Sequence, residues 1–324
     1  MKRPSLRRLI GRSIGVSLLA VAAATFSASV LADSTLRIGY QKSSTLITLL
    51  KTQGTLESVL AQQGVSVTWH EFPSGLPLLE ALNVGNVDFS ADVADTVPVF
   101  AQAAGARLTY VAQEAPSPSA QAIVVPSSSA IQSVADLKGK RVAVTKAAGS
   151  HYLLIQALKQ AGLSFADIRP SYLTPADGRA AFENGNVDAW VTWEPFLTSV
   201  QRQLETRTLA DGEGLADYQR YYLSTDSYAE ANPAILATLF NELQKSGEWL
   251  RANPREAATI LGPLWGGLDV ATVEAANQRR SYEVRLVQPE SLAEQQKIAD
   301  TFHQEGLLPV TVNATDVNIW APEN

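Results

Sequence analysis

Two short stretches, SADVADTVP (residues 90–98) and TKAAGSHY (residues 145–152), gather the side chains most suited to chemistry: two aspartates, hydroxyls, a lysine, a glycine and a histidine. Asp92 and Asp95 are the types that ligate a metal, the repeated Asp88 and Asp188 could be taken for a catalytic pair, and Ser150 beside His151 has the types of a nucleophile and its base. The spacing supports none of these. The three histidines, His70, His151 and His303, form no HExxH pair, and two carboxylates alone offer too few oxygens for a metal. Sequence neighbours do not make a catalytic pair, and neither a G-x-S-x-G elbow nor a GxxxxGK[ST] loop is present. The expectation is therefore no catalytic residue, no metal, no cofactor and no enzyme. What these residues do suit is holding an anion on hydroxyls and backbone N–H groups.

The elements that would position them come from a repeat. Gly-Asn-Val-Asp occurs at residues 85–88 and again at 185–188, and the flanks match as well. Arg37 and Arg141 each open a short apolar run, followed by a polar turn and a helix with Leu and Ile at i, i+3 and i+4. A second strand, a short helix closing on Gly85 or Gly185 and a third strand from Val87 or Val187 complete each copy. Glycine just past a helix end accepts the left-handed conformation, and asparagine suits the same turn. Asp88 and Asp188 are read as structural groups at strand starts. Each copy is thus strand, helix, strand, helix, strand, an order that requires parallel strands. The fold class predicted is α/β, two doubly wound lobes with a ligand cleft between them.

In such sheets the ligand lies beyond the carboxyl ends of the strands. In the first lobe those ends carry Gln41, Lys42, Ser43 and Ser44, then Asp92, Asp95 and Thr96. In the second they carry Lys146, Gly149, Ser150, His151 and Tyr152, then Trp193 and Glu194. Several are helix starts, where free N–H groups and the positive end of the helix dipole favour an oxyanion. Trp193 at a strand end is read as a pocket wall, and Tyr222 lies where the chain returns to the first lobe. Crossovers are expected near residues 113–121 and 212–222.

Composition narrows the class further. Residues 1–32 carry five basic side chains, an apolar stretch and a small-residue ending, the pattern of a cleaved secretory signal. Its removal takes the net charge from −6 to −11, which excludes nucleic acid and anionic membranes as expected partners. The chain has no cysteine, which excludes disulfides and thiol chemistry. A soluble periplasmic monomer is expected, with lobe 1 formed by residues 33–115 and 220–324 and lobe 2 by residues 116–219. The helical tail, beginning at Asn232-Pro233, is expected to pack on the first lobe.

Taken together, LRIGYQK, EFPSGLPLLEALNVGNVDFS, PVFAQAAGA, DLKGKRVAVTKAAGSH, YLTPADGRAAFENGNVDAW and WEPF resemble the periplasmic aliphatic sulfonate-binding proteins of ABC importers, over residues 36–322. The resemblance implies a type II periplasmic binding fold that captures an alkanesulfonate and delivers it to an ABC permease for sulfur acquisition. Serines 43, 44 and 150 would then hold the sulfonate, with Trp193, Tyr152 and Tyr222 over its organic part. Taurine, sulfate esters, arylsulfonates and nitrate are alternative ligands of the same fold, and a periplasmic hydrolase using the acids and His151 is the competing class. One departure from the family pattern is SADVAD, a residue longer, in which Asp92 is an added acid. It would repel a second anionic group or attract a cationic one.

Overall fold

The structure, a computed structural model, describes residues 34–322; the leader expected at residues 1–32 lies outside them. The first stretch runs β1 (Ser34–Gln41), α1 (Thr45–Gln53), α2 (Thr55–Ala61), β2 (Val65–Phe72), α3 (Gly75–Asn83), β3 (Phe89–Ala94), α4 (Thr96–Ala103) and β4 (Leu108–Glu114). The second runs β5 (Gln121–Pro126), β6 (Arg141–Val144), α5 (Gly149–Gln160), β7 (Arg169–Tyr172), α6 (Pro175–Glu183), β8 (Ala189–Trp193), α7 (Phe196–Gln203) and β9 (Thr206–Asp211). The chain then returns through β10 (Arg220–Thr225) and α8 (Asp226–Ala231) to α9 (Pro233–Ala252), α10 (Pro254–Leu264) and α11 (Val270–Asn277). A short β11 (Val284–Arg285), α12 (Leu292–Gln304) and β12 (Asn318–Ile319) follow.

Two sheets result. One is seven-stranded in the order β11-β4-β10-β3-β1-β2, with β12 also on β4; the other is β7-β6-β8-β5-β9. Each is parallel at its repeat, β2-β1-β3 in one and β7-β6-β8 in the other. The strand beside each repeat, β10 or β5, is antiparallel to its neighbours. The sheets are therefore mixed rather than wholly parallel, because β10 and β5 are the strands on which the chain enters from the other sheet, travelling the opposite way. The passages lie between Glu114 and Gln121 and between Asp211 and Arg220.

The doubled motif builds the same clamp twice. Gly85 and Gly185 sit at φ 74° and 67°, past the ends of α3 and α6, where a side chain would be strained. The aspartate three residues on then turns back to the strand-opening arginine. Asp88 accepts from the Arg37 backbone N–H at 2.8 Å and from its Nε at 2.9 Å, while Arg37 Nη1 donates to the Gly85 carbonyl at 2.7 Å. Asp188 accepts from the Arg141 N–H at 2.7 Å, and Arg141 Nη2 reaches the Gly185 carbonyl at 3.2 Å. Each clamp fixes the helix end, the turn and two adjacent strands. β3 and β8 begin two residues later than Val87 and Val187, since those residues still belong to the turn.

Layers of helix cover both faces of each sheet. Leu36, Ile38 and Tyr40 of β1 face Leu46 and Leu49 of α1 and Leu236, Leu239 and Leu243 of α9. On the other face Leu78, Leu79 and Leu82 of α3 pack with Val93 and Tyr221. The second sheet buries Val142 and Val191 against Leu153, Leu154 and Leu158 of α5, and Trp190 against Phe182. The tail packs on the first sheet through α9 and α10, whereas α11 lies between α10 and α7 of the second half, and α12 also departs from the expectation. Ile298, Ala299 and Phe302 share a core with α5 as well as α4, and the Phe302 ring lies 4.9 Å from Phe100 and 5.1 Å from His151.

The two clamps differ in exposure, 11 % for the Asp88 side chain and 32 % for Asp188. Asp88→Ala should lower the unfolding free energy by about 2–3 kcal/mol, the scale of hydrogen bonds to a charged group. Asp188→Ala should cost less, because solvent screens its pairing. Urea unfolding of the two variants measures the difference.

Candidate functional site

Between the two sheets lies a small enclosed cavity of about 20 Å³, room for about one water. Its walls come from both halves of the molecule. Gln41, Ser43, Ser74, Gly75, Asp92 and Ala94 belong to the first, and Ala148, Gly149 and Trp193 to the second. Tyr218 and Arg220, from the returning passage, close one side, and exposed Lys146 stands at the mouth.

Three helices start on this cavity. The residues before α1, α3 and α5 are Ser44, Ser74 and Ala148, and none of them caps its helix with a side chain. The first-turn N–H groups thus lack the side-chain partner that usually satisfies them; α3 and α5 bring their first residues, Gly75 and Gly149, onto the cavity wall, and α1 starts just behind Ser43. Gly149 is required by contact: a Cβ built there would run into the Tyr218 ring. Of the non-glycine residues described, those with positive φ are Ala147 (62°), Tyr218 (53°) and Tyr282 (51°), and all three border this region. Backbone strain of this kind persists where surrounding contacts impose it, commonly at binding sites.

Behind the first wall is a buried ion network. Arg280 Nη2 donates to Glu114 at 2.8 and 2.7 Å and to Asp92 Oδ2 at 2.9 Å; its Nη1 donates to the Ser43 carbonyl at 3.2 Å. Tyr222 donates to Glu114 Oε1 at 2.7 Å. Arg220 Nε stands 3.7 Å from Asp92 Oδ2, and its guanidinium lies over the Tyr218 ring at 4.1 Å. Three buried atoms of this network lack a hydrogen-bond partner: Arg220 Nη1 and Asp92 Oδ1 on the cavity wall, and Arg280 Nε behind it. Burial pushes the Asp92 carboxyl up to about 6, opposed by Arg280, whereas Arg280 and Arg220 outweigh burial at Glu114 and hold it below the usual range.

The residues singled out from sequence divide between the cavity and its surroundings. Gln41, Ser43, Asp92, Gly149 and Trp193 line it, and Gln41 Nε2 donates to the Asp92 carbonyl at 3.0 Å. Trp193 Nε1 donates across the gap to Ser43 Oγ at 3.3 Å. Thr96 also reaches across, its hydroxyl donating to the Ala147 carbonyl at 2.5 Å. Glu194 points away from the cavity because Thr198 N–H and hydroxyl hold it at 3.1 and 2.7 Å, and Arg279 Nη1 joins it at 2.6 Å. Asp95 accepts from Gln219 N–H at 3.0 Å.

His151 faces an aromatic enclosure of Phe165, Tyr172 and Phe302, with its Nδ1 accepting from the Ala147 N–H at 3.3 Å. Burial, with Lys146 nearby, pushes it down to about 3, so it is neutral and has no charge to offer an anion. Ser150 is fully buried without a partner for its hydroxyl, Tyr152 packs near Phe302, and Tyr222 serves Glu114. Lys42 is exposed, and its carbonyl accepts from Trp265. Sequence reasoning missed Ser74, Gly75, Tyr218, Arg220 and Arg280. A signal existed for the arginines: Arg220 heads the apolar run RYYL, and Arg279-Arg280 is a doubled charge beside Tyr282.

Removing one partner from a buried ion pair strands the other. Arg280→Met should therefore destabilise the ligand-free protein by about 3–5 kcal/mol in urea unfolding, and adding Glu114→Gln should recover part of the loss. Asp95 supplies a pH signature, since burial pushes it up to about 7 against the Gln219 and Thr96 N–H groups. A carboxyl raised on folding stabilises while protonated, and that contribution is lost as pH rises through its folded value. Asp95 should accordingly add stability on acidification from about pH 8 to about pH 5, with Asp92 acting in the same sense and His151 against it, and Asp95→Asn should make the slope over that range less favourable to acid. An unchanged slope in Asp95→Asn would remove Asp95 as its source.

A family model for NMT1/THI5 like proteins matches residues 60–257. A relative from Escherichia coli (strain K12), named for binding aliphatic sulfonates, is 40% identical over 309 residues, 95% of this chain and 94% of its own. The crystal structure of the periplasmic aliphatic sulphonate binding protein SsuA from Escherichia coli superimposes with a TM-score of 0.79 at 41% identity, covering 89% of this chain and 97% of that one. The alkanesulfonate-binding protein SsuA from Xanthomonas axonopodis pv. citri, bound to MOPS, gives 0.82 at 40% identity over 86% and 96%. The fold is therefore the two-lobed α/β periplasmic binding fold. By its sequence and its architecture alike, the chain belongs to the family of aliphatic sulfonate-binding proteins, within the NMT1/THI5 like proteins.

Proposed function

We propose that the protein is a periplasmic, monomeric solute-binding protein that captures an organosulfonate anion between two lobes and hands it to an ABC importer for sulfur supply. Lobe 1 comprises residues 33–115 and 220–324, and lobe 2 residues 116–219. The observation that carries this reading is the convergence of three uncapped helix starts on a cavity whose wall includes Arg220, with Nη1 unpartnered. Three sulfonate oxygens match that donor set, and a sulfonate stays ionised throughout the physiological pH range, so no proton need move. Trp193 supplies the apolar surface for the carbon next to sulfur.

The cavity at about 20 Å³ is far smaller than an alkanesulfonate, so the ligand enters with the lobes apart and is enclosed as they close. Closure is held by contacts between the lobes: Thr96 to Ala147, Trp193 to Ser43 and Arg279 to Glu194. Ligand shifts the equilibrium because only the closed form offers both walls at once. A permease that reads the closed outline then receives loaded protein in preference to empty.

Calorimetry with alkanesulfonates, taurine, an arylsulfonate, a sulfate ester and nitrate tests the reading. Saturable binding of alkanesulfonates at one per protein, with no product formed, is expected; binding of nitrate alone, or turnover of the ester, would overturn it. Arg220→Gln should weaken sulfonate binding by about tenfold to a hundredfold, the scale of a charge-assisted hydrogen bond.

A further inference from the structure

We propose that Asp92 restricts this site to ligands carrying a single negative charge, admitting organosulfonates and excluding the sulfate dianion. The inference rests on the sulfonate reading of the cavity. Asp92 and Glu114 are set against Arg220 and Arg280, and all four side chains are buried, between 0 % and 4 % exposed. With both acids ionised the network is neutral. Arg220 still offers Nη1 to an incoming oxygen, but its charge is already shared with Asp92 at 3.7 Å. The surplus positive potential is then what the helix starts supply, and it suits one negative charge rather than two.

Geometry adds a second constraint. Asp92 lines the cavity; its Oδ2 is held by Arg280, and its buried Oδ1 has no hydrogen bond of good geometry, the Ser44 hydroxyl beside the carboxylate being its one weak stabiliser. A buried carboxylate oxygen with free lone pairs tolerates a carbon or a donor against it, but not another anionic acceptor. Sulfate and a sulfonate present the same three oxygens; they differ in that sulfate carries a fourth oxygen where the sulfonate has carbon. Sulfate has no proton to lend Asp92 near neutral pH, so it cannot relieve the clash by donating. A second charge brought within roughly 5 Å of a carboxylate costs on the order of a hundredfold in affinity at the effective dielectric of protein sites. The extra acid thus works against the sulfur anion of closest shape.

The charged groups facing Asp92 are Arg220 on β10, Glu114 on β4 and Arg280 beyond α11; Asp95 lies beyond Arg220, and Lys146 stands at the mouth. Of these, Asp95 titrates in a neighbouring range, but it is tied to Gln219 and is off the cavity wall.

The test is the ratio of dissociation constants for ethanesulfonate and sulfate, measured by calorimetry on the full protein and on Asp92→Asn, with taurine as a third ligand. The unaltered protein should bind sulfate at least about a hundredfold more weakly than ethanesulfonate at pH 7.5, in line with the electrostatic cost above. Whatever Asp92→Asn does to ethanesulfonate itself, it should narrow that ratio by about tenfold or more. If the variant fails to fold, the unaltered protein decides: lowering pH to about 5 places a proton on Asp92 and should narrow the ratio in the same direction. Sulfate binding within tenfold of ethanesulfonate, or a ratio unmoved by both substitution and acid, would overturn the proposal. So would a taurine preference that Asp92→Asn abolishes, since Asp92 would then be an ammonium receptor. Failure of the unaltered protein to bind any sulfonate would instead sink the functional reading, and this inference with it.

Discussion

The paired ions behind the first wall, Arg280 with Glu114 and Asp92, and Arg220 beside them, hold the site together. Four separate pieces of chain meet there: the ends of β3 and β4, the start of β10 and the turn after α11. Charges so deeply buried are tolerated only when each has its counter-charge in place. That requirement fixes how these four ends stand relative to one another. The same network presents the cavity with an oriented guanidinium and a neighbouring carboxylate, so the order of the site and the pairing of its ions are one constraint.

Around that network the molecule is assembled from a duplicated scaffold whose strand ends diverge where ligand would be met. The Arg37–Asp88 and Arg141–Asp188 clamps sit at the opposite ends of the strands from the cavity and are nearly superposable in their bonding. Beyond β3 the chain continues into Asp95 and α4, and beyond β8 into Glu194 and α7, and at these strand ends the side chains no longer match. One presents carboxylates to arginines; the other presents an indole across the gap. Duplication supplies two rigid bodies, and the divergence of their strand ends supplies a cleft with unlike walls.

The duplicated part was legible because its signals are local. Apolar spacing, a glycine past each helix and an arginine opening each first strand mark every element within a few residues. Gln41, Ser43, Asp92, Gly149 and Trp193 were legible for a related reason, since strand ends in such sheets point at the cleft. Arg280 was not, because it lies 188 residues from Asp92 along the chain and reaches it only through tertiary packing. Glu194, His151 and Tyr222 sit where expected along the chain, yet their side chains turn elsewhere, to a helix start, an aromatic enclosure and Glu114. Position along a strand follows from pattern. The direction a side chain takes follows from partners that pattern does not contain.

Arg279 and Arg280 stand side by side, yet one reaches Glu194 and Gln201 in the second half while the other is locked among Asp92, Glu114 and Ser43 in the first. A single peptide bond therefore joins the bolt of the door to the frame of the room. The contact that spans the two halves and the contact that orders the first wall are thus set by neighbouring residues of one short turn.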